Sequence, residues 1–371
     1  MNLIPVNRPL ITQSDIDAVT NSLKETWISG DTLPVRELEE LLCSSLGSEE
    51  AVAVSTGTSA IDLSIEALSI QEGDKCILPT FSIISTISNL ARKGAKTELV
   101  DADPLTWSMN SEATTEKISE ETKLLMPVHI YGLSTDMGQM LEKARENNVL
   151  VLEDAAEAIG VRYKERNCGT LGDAGIFSFY ANKVVTGGEG GAVITNNKDF
   201  AEKVRYFRNL CFNPSERYVH TDLGWNHRMA GLPATLIGSQ LGRLNELVAH
   251  KISQAEFYLE GLAEHPWFTF QPKETDYSTN VYWVFGILLN NECRFNASEM
   301  REILRAKGVD TRRFFYPMHL QPVFKTYFDY KDGAFPVAEN LWERGFYIPS
   351  GLGTTLQEQE RVIEVLWDLV K

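Results

Sequence analysis

Val149-Leu150-Val151-Leu152-Glu153-Asp154-Ala155-Ala156-Glu157 is the stretch that decides the fold. Four consecutive aliphatic side chains leave no polar face, so a strand built from them is covered on both sides. Such strands belong to parallel sheets sandwiched between helices. The run stops at two carboxylates. Ligands of open α/β sheets gather beyond the carboxyl ends of the strands. A carboxylate there is tolerated only when solvated or paired with a donor. Asp154 is therefore a candidate partner for a protonated ring nitrogen. The plainer reading is a capping or ion-paired aspartate.

Short apolar runs repeat on either side, at 51–55, 75–78, 96–100, 124–128, 175–179 and 191–195. Helical patterns fall between most of them, at 59–69, 85–92, 111–118, 137–147 and 198–208. This alternation predicts an α/β layer fold with a mostly parallel sheet. An arm precedes it, with Pro5, Pro9, a periodic stretch at 14–24 and a helix at 34–46. After 195 the pattern changes to a polar, aromatic loop over 209–230, a length that is functional when not disordered. A single helical stretch over 232–262 follows and bridges to a strand at 282–289 and helices at 296–307 and 357–370. A chain of 371 residues exceeds what one core supports. We expect an arm and large domain over 1–240, and a bridging helix with a small α+β domain over 241–371.

The net charge of −16, with no run of lysines and arginines, argues against nucleic acid as a partner. It leaves room for a phosphorylated small molecule held by a locally positive pocket. Five scattered cysteines without a CxxC pair offer neither a disulfide framework nor a zinc site. His220 and His227 lack carboxylates at ligand spacing, so no metal is expected. The N-terminus lacks the apolar core of a signal peptide, and no apolar run is long enough to span a membrane. The expectation is a protein of the reducing cytosol.

Two more stretches carry chemistry. Thr56-Gly57-Thr58-Ser59 follows one strand and opens a helix, where free N–H groups and small hydroxyls make an anion site or an ordinary cap. Neither standard nucleotide-binding glycine fingerprint is present. Lys183 sits between an aromatic strand, Phe177-Ser178-Phe179-Tyr180, and a glycine-rich turn, Thr186-Gly187-Gly188-Glu189-Gly190-Gly191. A lysine that attacks an aldehyde must lose its proton part of the time, so its surroundings should lower its pKa. The alternative is a lysine in a surface loop. Ser178 could bond an anion. A phosphate cradle, an anion for a ring nitrogen and an amine for an aldehyde together fit pyridoxal 5'-phosphate.

The chain resembles the DegT/DnrJ/EryC1/StrS family of pyridoxal-phosphate-dependent sugar aminotransferases over nearly its whole length. The resemblance rests on Asn182-Lys183 with Gly188-Glu189-Gly190-Gly191, on Glu153-Asp154-Ala155-Ala156-Glu157-Ala158-Ile159-Gly160, and on Trp225-Asn226-His227-Arg228-Met229. It implies the aspartate aminotransferase-like fold of type I, with a large mixed seven-stranded sheet domain and a small C-terminal α+β domain. Three further motifs narrow it to members acting on GDP-4-keto-6-deoxy-D-mannose: Pro127-Val128-His129-Ile130-Tyr131-Gly132, Thr26-Trp27-Ile28-Ser29 and Phe315-Tyr316-Pro317-Met318-His319. The reaction implied is amino transfer from L-glutamate to C4 of the sugar. A UDP- or TDP-linked 3- or 4-keto hexose is the alternative, and a non-catalytic cofactor-binding regulator or structural protein the distant one.

The family's roles then fall on Lys183 for the aldehyde and proton transfer, Asp154 for the ring nitrogen, and Glu157 near the reacting carbon. Gly57, Thr58, Ser59 and Ser178 are implied for the phosphate. Asn226 is implied to reach it from the neighbouring subunit of a homodimer. Trp27, Ser29, Gly30, His129, Glu189, Arg228, Arg313 and His319 are implied on the substrate side. Two positions depart from the pattern. Ile83 stands where an aromatic ring usually stacks on the cofactor, and His227 where tyrosine is common. A related dehydratase group carries histidine in place of Lys183, so the lysine favours transamination.

Overall fold

The computed structural model describes residues 3–370. Helices α1 (Gln13–Lys24) and α2 (Leu33–Leu46) lead into β1 (Glu50–Val54), α3 (Gly57–Ala67), β2 (Lys75–Pro79), α4 (Ser85–Arg92) and β3 (Lys96–Val100). Next come α5 (Ser111–Lys117), β4 (Thr122–Leu125), α6 (Gly138–Glu146) and β5 (Leu150–Asp154). A short hairpin, β6 (Arg162–Tyr163) and β7 (Arg166–Asn167), precedes β8 (Ala174–Ser178), β9 (Gly191–Thr195) and α7 (Lys198–Arg208).

Seven of these strands form one sheet in the order β1-β9-β8-β5-β4-β2-β3. Strand β9 runs antiparallel to both its neighbours, and the remaining pairs are parallel. The sheet is thus mixed, as the family fold implies. Val151 to Asp154 are buried, and so is all of β9. Helices α3 and α7 pack against the β1–β9–β8 side. The carboxyl ends of β1, β2, β5 and β8 all point to one edge, and the turns that follow them build the site.

The bridging stretch is two helices rather than one, α8 (Gly231–Leu241) and α9 (Leu244–Leu262). Between them Arg243 leaves helical geometry, with φ −123° and ψ 28°. Its guanidinium lies 2.6 Å from the Asp15 carboxylate on α1. A tertiary ion pair at a glycine-arginine step therefore breaks a helix that local pattern would continue. The C-terminal part holds β10 (Phe268–Thr269), β11 (Phe285–Leu289), α10 (Ala297–Ala306), β12 (Arg312–Arg313), α11 (Pro336–Arg344), β13 (Gly345–Ile348) and α12 (Leu356–Trp367). Its strands form an antiparallel sheet in the order β10-β11-β13-β12.

Strand β11 starts three residues later than the pattern predicts. Tyr282 adopts a left-handed φ of 54°, and Val281 N–H donates to the Gly132 carbonyl at 2.8 Å. Gly132 has no room for a side chain, since a Cβ there would lie 2.5 Å from the Trp283 nitrogen. The N-terminal arm also docks on the C-terminal part, through Arg8 and Glu358 at 2.8 Å. A second apolar cluster unites Ile4 with α9, α10, α12, β11 and β13. No helix among the described residues is long and apolar enough to cross a membrane.

Candidate active site

A cavity of about 490 Å³ opens at the edge where the strand ends converge. The chain turns after β1 supply Thr56, Gly57 and Thr58; the turn after β2 supplies Ser82 and Ile83; the end of β5 supplies Asp154 and Glu157. Ser178 ends β8, and Asn182, Lys183 and Glu189 follow it. The C-terminal part closes the cavity with Trp283, Arg312, Arg313, Phe315 and Tyr347.

Lys183 is the centre of this arrangement. Its Nζ lies 3.8 Å from Glu157 Oε1 and 3.6 Å from the centroid of the Trp283 ring. Burial lowers the pKa of the amine, and the carboxylates of Glu157 and Asp154 oppose that shift. Burial also pushes the Glu157 carboxyl up to about 7, against the pull of Lys183 and of the Tyr131 N–H, which donates to Oε2 at 2.9 Å. Burial thus works against the charged form of both groups, and their mutual attraction works for it. Asp154 is almost wholly enclosed. It accepts from Ala156 N–H at 3.1 Å and from the Thr86 hydroxyl at 3.3 Å, yet burial still pushes its carboxyl up. A cation placed against it returns the carboxylate to its charged form.

Helix α3 begins at this cavity. The Thr56 side chain caps Ser59 N–H, and the N–H groups of Gly57 and Thr58 have no acceptor among the described residues. Only glycine fits at 57, because a Cβ there would sit 2.8 Å from Ser178 Cβ. Unpaired N–H groups at a helix start beside two hydroxyls suit a phosphate. An under-compensated aspartate, a phosphate cradle and a buried lysine with lowered pKa all lie in one cavity. The residues present therefore fit pyridoxal phosphate, which Gly57, Thr58 and Ser178 would hold at one end and Asp154 and Lys183 at the other.

Several expected site residues lie elsewhere. Ser59 is buried, and its hydroxyl is shared between Ser55 at 3.0 Å and Thr56 at 2.9 Å, so it serves the cap and does not line the cavity. His129 is fully buried. Thr135 N–H donates to its Nδ1 at 3.1 Å, and its Nε2 faces Glu153 Oε2 at 3.0 Å. Glu153 in turn accepts three backbone N–H groups, from Gly169, Leu171 and Gly172. Both ring nitrogens are committed to this network, which corrects the expected substrate-side role. His319 is corrected for the same reason, with Thr80 at 2.7 Å on Nδ1 and Glu339 at 3.0 Å on Nε2.

Arg313 touches the cavity, but its guanidinium is spent on Ser298 and the Trp342 carbonyl and lies flat over the Trp342 ring at 3.4 Å. Its neighbour Arg312 is exposed, lines the cavity beside Tyr347, and is the freer cation. Trp27, Ser29 and Gly30 lie away from Lys183. Gly30 packs against Arg228, Trp27 borders a groove between α1, α2 and α8, and Arg228 binds Asn209. Asn226 pairs with Asn209 outside the cavity of its own chain. Trp283 and Arg312 were not anticipated. No motif flags Trp283, and Arg312 and Arg313 are adjacent residues of one type that sequence alone does not tell apart.

The sequence pattern of the DegT/DnrJ/EryC1/StrS aminotransferase family matches residues 9–367. GDP-perosamine synthase of Caulobacter vibrioides is 33% identical over 98% of this chain and 97% of its own length. GDP-perosamine synthase of Escherichia coli O157:H7 is 34% identical over 94% of each chain. The crystal structure of the aminotransferase TlmJ from Streptoalloteichus hindustanus has 27% identity and a TM-score of 0.91, covering the whole of both chains.

Proposed function

The chain belongs to the DegT/DnrJ/EryC1/StrS aminotransferase family, a family of pyridoxal phosphate enzymes, and from that premise we propose that it converts GDP-4-keto-6-deoxy-D-mannose to GDP-perosamine with L-glutamate as amino donor. The observation that carries this reading is the full-length similarity to two GDP-perosamine synthases combined with Lys183 in the cavity. A lysine there, rather than the histidine of the dehydratase group, supports transfer of the amine.

Bound pyridoxal phosphate supplies an aldehyde and an electron-accepting ring. The chain's own residues do the rest. Asp154, charged once a protonated ring nitrogen faces it, holds that proton in place. Lys183, with its pKa lowered by burial, reaches its uncharged form without strong base, and its Nζ carries the proton to and from the substrate carbon. Glu157 stands 3.8 Å away as the group that accepts or returns that proton. Arg312 offers positive charge to the anionic groups of the substrates. We place Asn226 and Arg228 toward the site of the neighbouring subunit of a homodimer, acting in the cytosol. Exposed Ile16, Leu23, Trp27, Ile28 and Leu33 on and between α1 and α2 support a partner surface.

The test is turnover of a panel of keto-sugar nucleotides with glutamate, read by mass. A GDP sugar slightly heavier than the keto substrate is expected, because NH2 and H together outweigh the keto oxygen they replace. Reaction of a UDP- or TDP-linked keto hexose, with the GDP sugar inert, overturns the substrate assignment.

A further inference from the structure

The nearest group to the Lys183 amine is not a carboxylate but an aromatic face. Nζ lies 3.6 Å from the Trp283 ring centroid, and the Glu157 oxygen is at 3.8 Å, beyond hydrogen-bond reach. Trp283 is itself buried and anchored. Its Nε1–H donates at 2.8 Å to the carbonyl of Asn182, the residue before Lys183, and Asn7 of the N-terminal arm approaches the same carbonyl at 3.4 Å. The backbone that delivers it is constrained. Tyr282 holds a left-handed φ of 54°, its N–H is bonded by Asn280 Oδ1 at 2.8 Å, and the preceding Val281 is tied to Gly132. Left-handed strain in a large buried residue persists only when the surroundings enforce it, and such strain gathers at functional sites.

Besides Glu157, one carboxylate bears on the amine and two basic side chains line the cavities around it. Asp154 lies at the end of β5 in the same cavity. Lys251 on α9 lines a small cavity of about 10 Å³ on the other side, which Lys183 and Trp283 also border. Arg312 lines the large cavity from β12. An ammonium in such a place, short of hydrogen-bond acceptors, gains most from a face of negative quadrupole.

We propose that Trp283 is the positioning residue for Lys183: its indole face holds the ammonium of the lysine whenever the amine is not bonded to the cofactor aldehyde, and its Nε1–H fixes the turn that carries the lysine. This rests on Lys183 being the reactive amine, but not on the identity of the sugar. The two effects of removing Trp283 have opposite signs. Loss of the aromatic face destabilises the ammonium and lowers the pKa of Lys183. Simple loosening of the site admits water and raises it.

The experiment follows the free lysine in the full-length chain after cofactor removal. The rate at which fluorodinitrobenzene labels Lys183 is measured against pH, with the labelled peptide identified by mass. Trp283→Leu is expected to shift the midpoint down by roughly 0.5–1 pH unit relative to the parent. Trp283→Phe, which keeps a weaker face, should fall between. A midpoint in the leucine variant that is unchanged or higher overturns the proposal. Should the leucine variant not fold, the phenylalanine variant decides alone: a midpoint below the parent's supports the proposal, and an equal or higher one overturns it. Failure of the sugar panel leaves this readout untouched, so the two results are separable.

Discussion

Lys183 depends on neighbours that are far from it in the chain, and single substitutions expose each dependence. Replacing it with alanine should abolish the visible absorbance of the bound cofactor and reduce turnover by several orders of magnitude; a Lys183→Ala protein that keeps its colour and rate sinks the assignment. Ile83 borders the cavity where relatives place a ring. Ile83→Phe restores an aromatic contact of about 1 kcal/mol, so equilibrium titration should show the cofactor held about fivefold more tightly. Unchanged affinity means that residue 83 does not cover the ring. At this scale the sequence was readable where residue type was unusual for its place. A charged pair ending an apolar strand and a lysine framed by aromatics and glycines stand out on their own. Trp283 does not, because its position depends on the left-handed turn at Tyr282 and on Gly132, which lies far upstream. The same dependence made His129 and His319 look available: their partners Glu153, Thr80 and Glu339 are not their neighbours in the chain.

Helix α3 and helix α9 support the site from opposite sides, and each makes a prediction. Adding a methyl group at the first residue of α3, Gly57→Ala, drives a Cβ to within 2.8 Å of Ser178. The phosphate end should be displaced, with cofactor affinity falling roughly 5- to 30-fold for 1–2 kcal/mol of strain. A variant with parental affinity removes the cradle from this helix start. On α9, burial lowers the pKa of Lys251 to about 7 from its ordinary 10.5. The unfolded chain then binds more protons than the fold between these values, so stability rises with pH across that window and is flat below it. Lys251→Met should remove a slope of up to about 1.4 kcal/mol per pH unit from urea unfolding curves measured between pH 7 and 10. Identical slopes in parent and variant show that Lys251 is not buried uncharged.

The elements themselves were legible where burial imposed a period. Strands of the large sheet fall within two or three residues of the apolar runs that announced them. The two-residue strands β10 and β12 carry no period at all. Strand β13 went unnoticed because its Phe346 and Tyr347 follow directly on α11. The break at Arg243 comes from a charge on α1, which local pattern cannot contain.

For the whole molecule, the assembly of the site is the open quantity. One chain supplies Lys183, Asp154 and the cradle, while Asn226 and Arg228 sit outside that cavity. If the homodimer shares residues across its interface, two inactive proteins can repair each other. Subunits carrying Lys183→Ala mixed with subunits carrying Asn226→Ala should regain roughly a quarter of parental turnover, since random pairing leaves one intact site in half of the dimers. No recovery after subunit exchange, verified by mass, confines each site to one chain.

The antiparallel strand β9 sets the order in which this protein can come into being. Along its whole length β1 pairs with β9, from Glu50↔Thr195 to Val54↔Gly191, and its end adds a bridge from Val54 to Arg228, later still in the chain. On a ribosome adding about 5–20 residues per second, β1 waits on the order of ten seconds as an apolar, unpaired edge. The wall containing Trp283 emerges later still. The nascent chain therefore passes through a stage with an exposed sheet edge and no pocket, and in that stage pairing with another chain is its hazard.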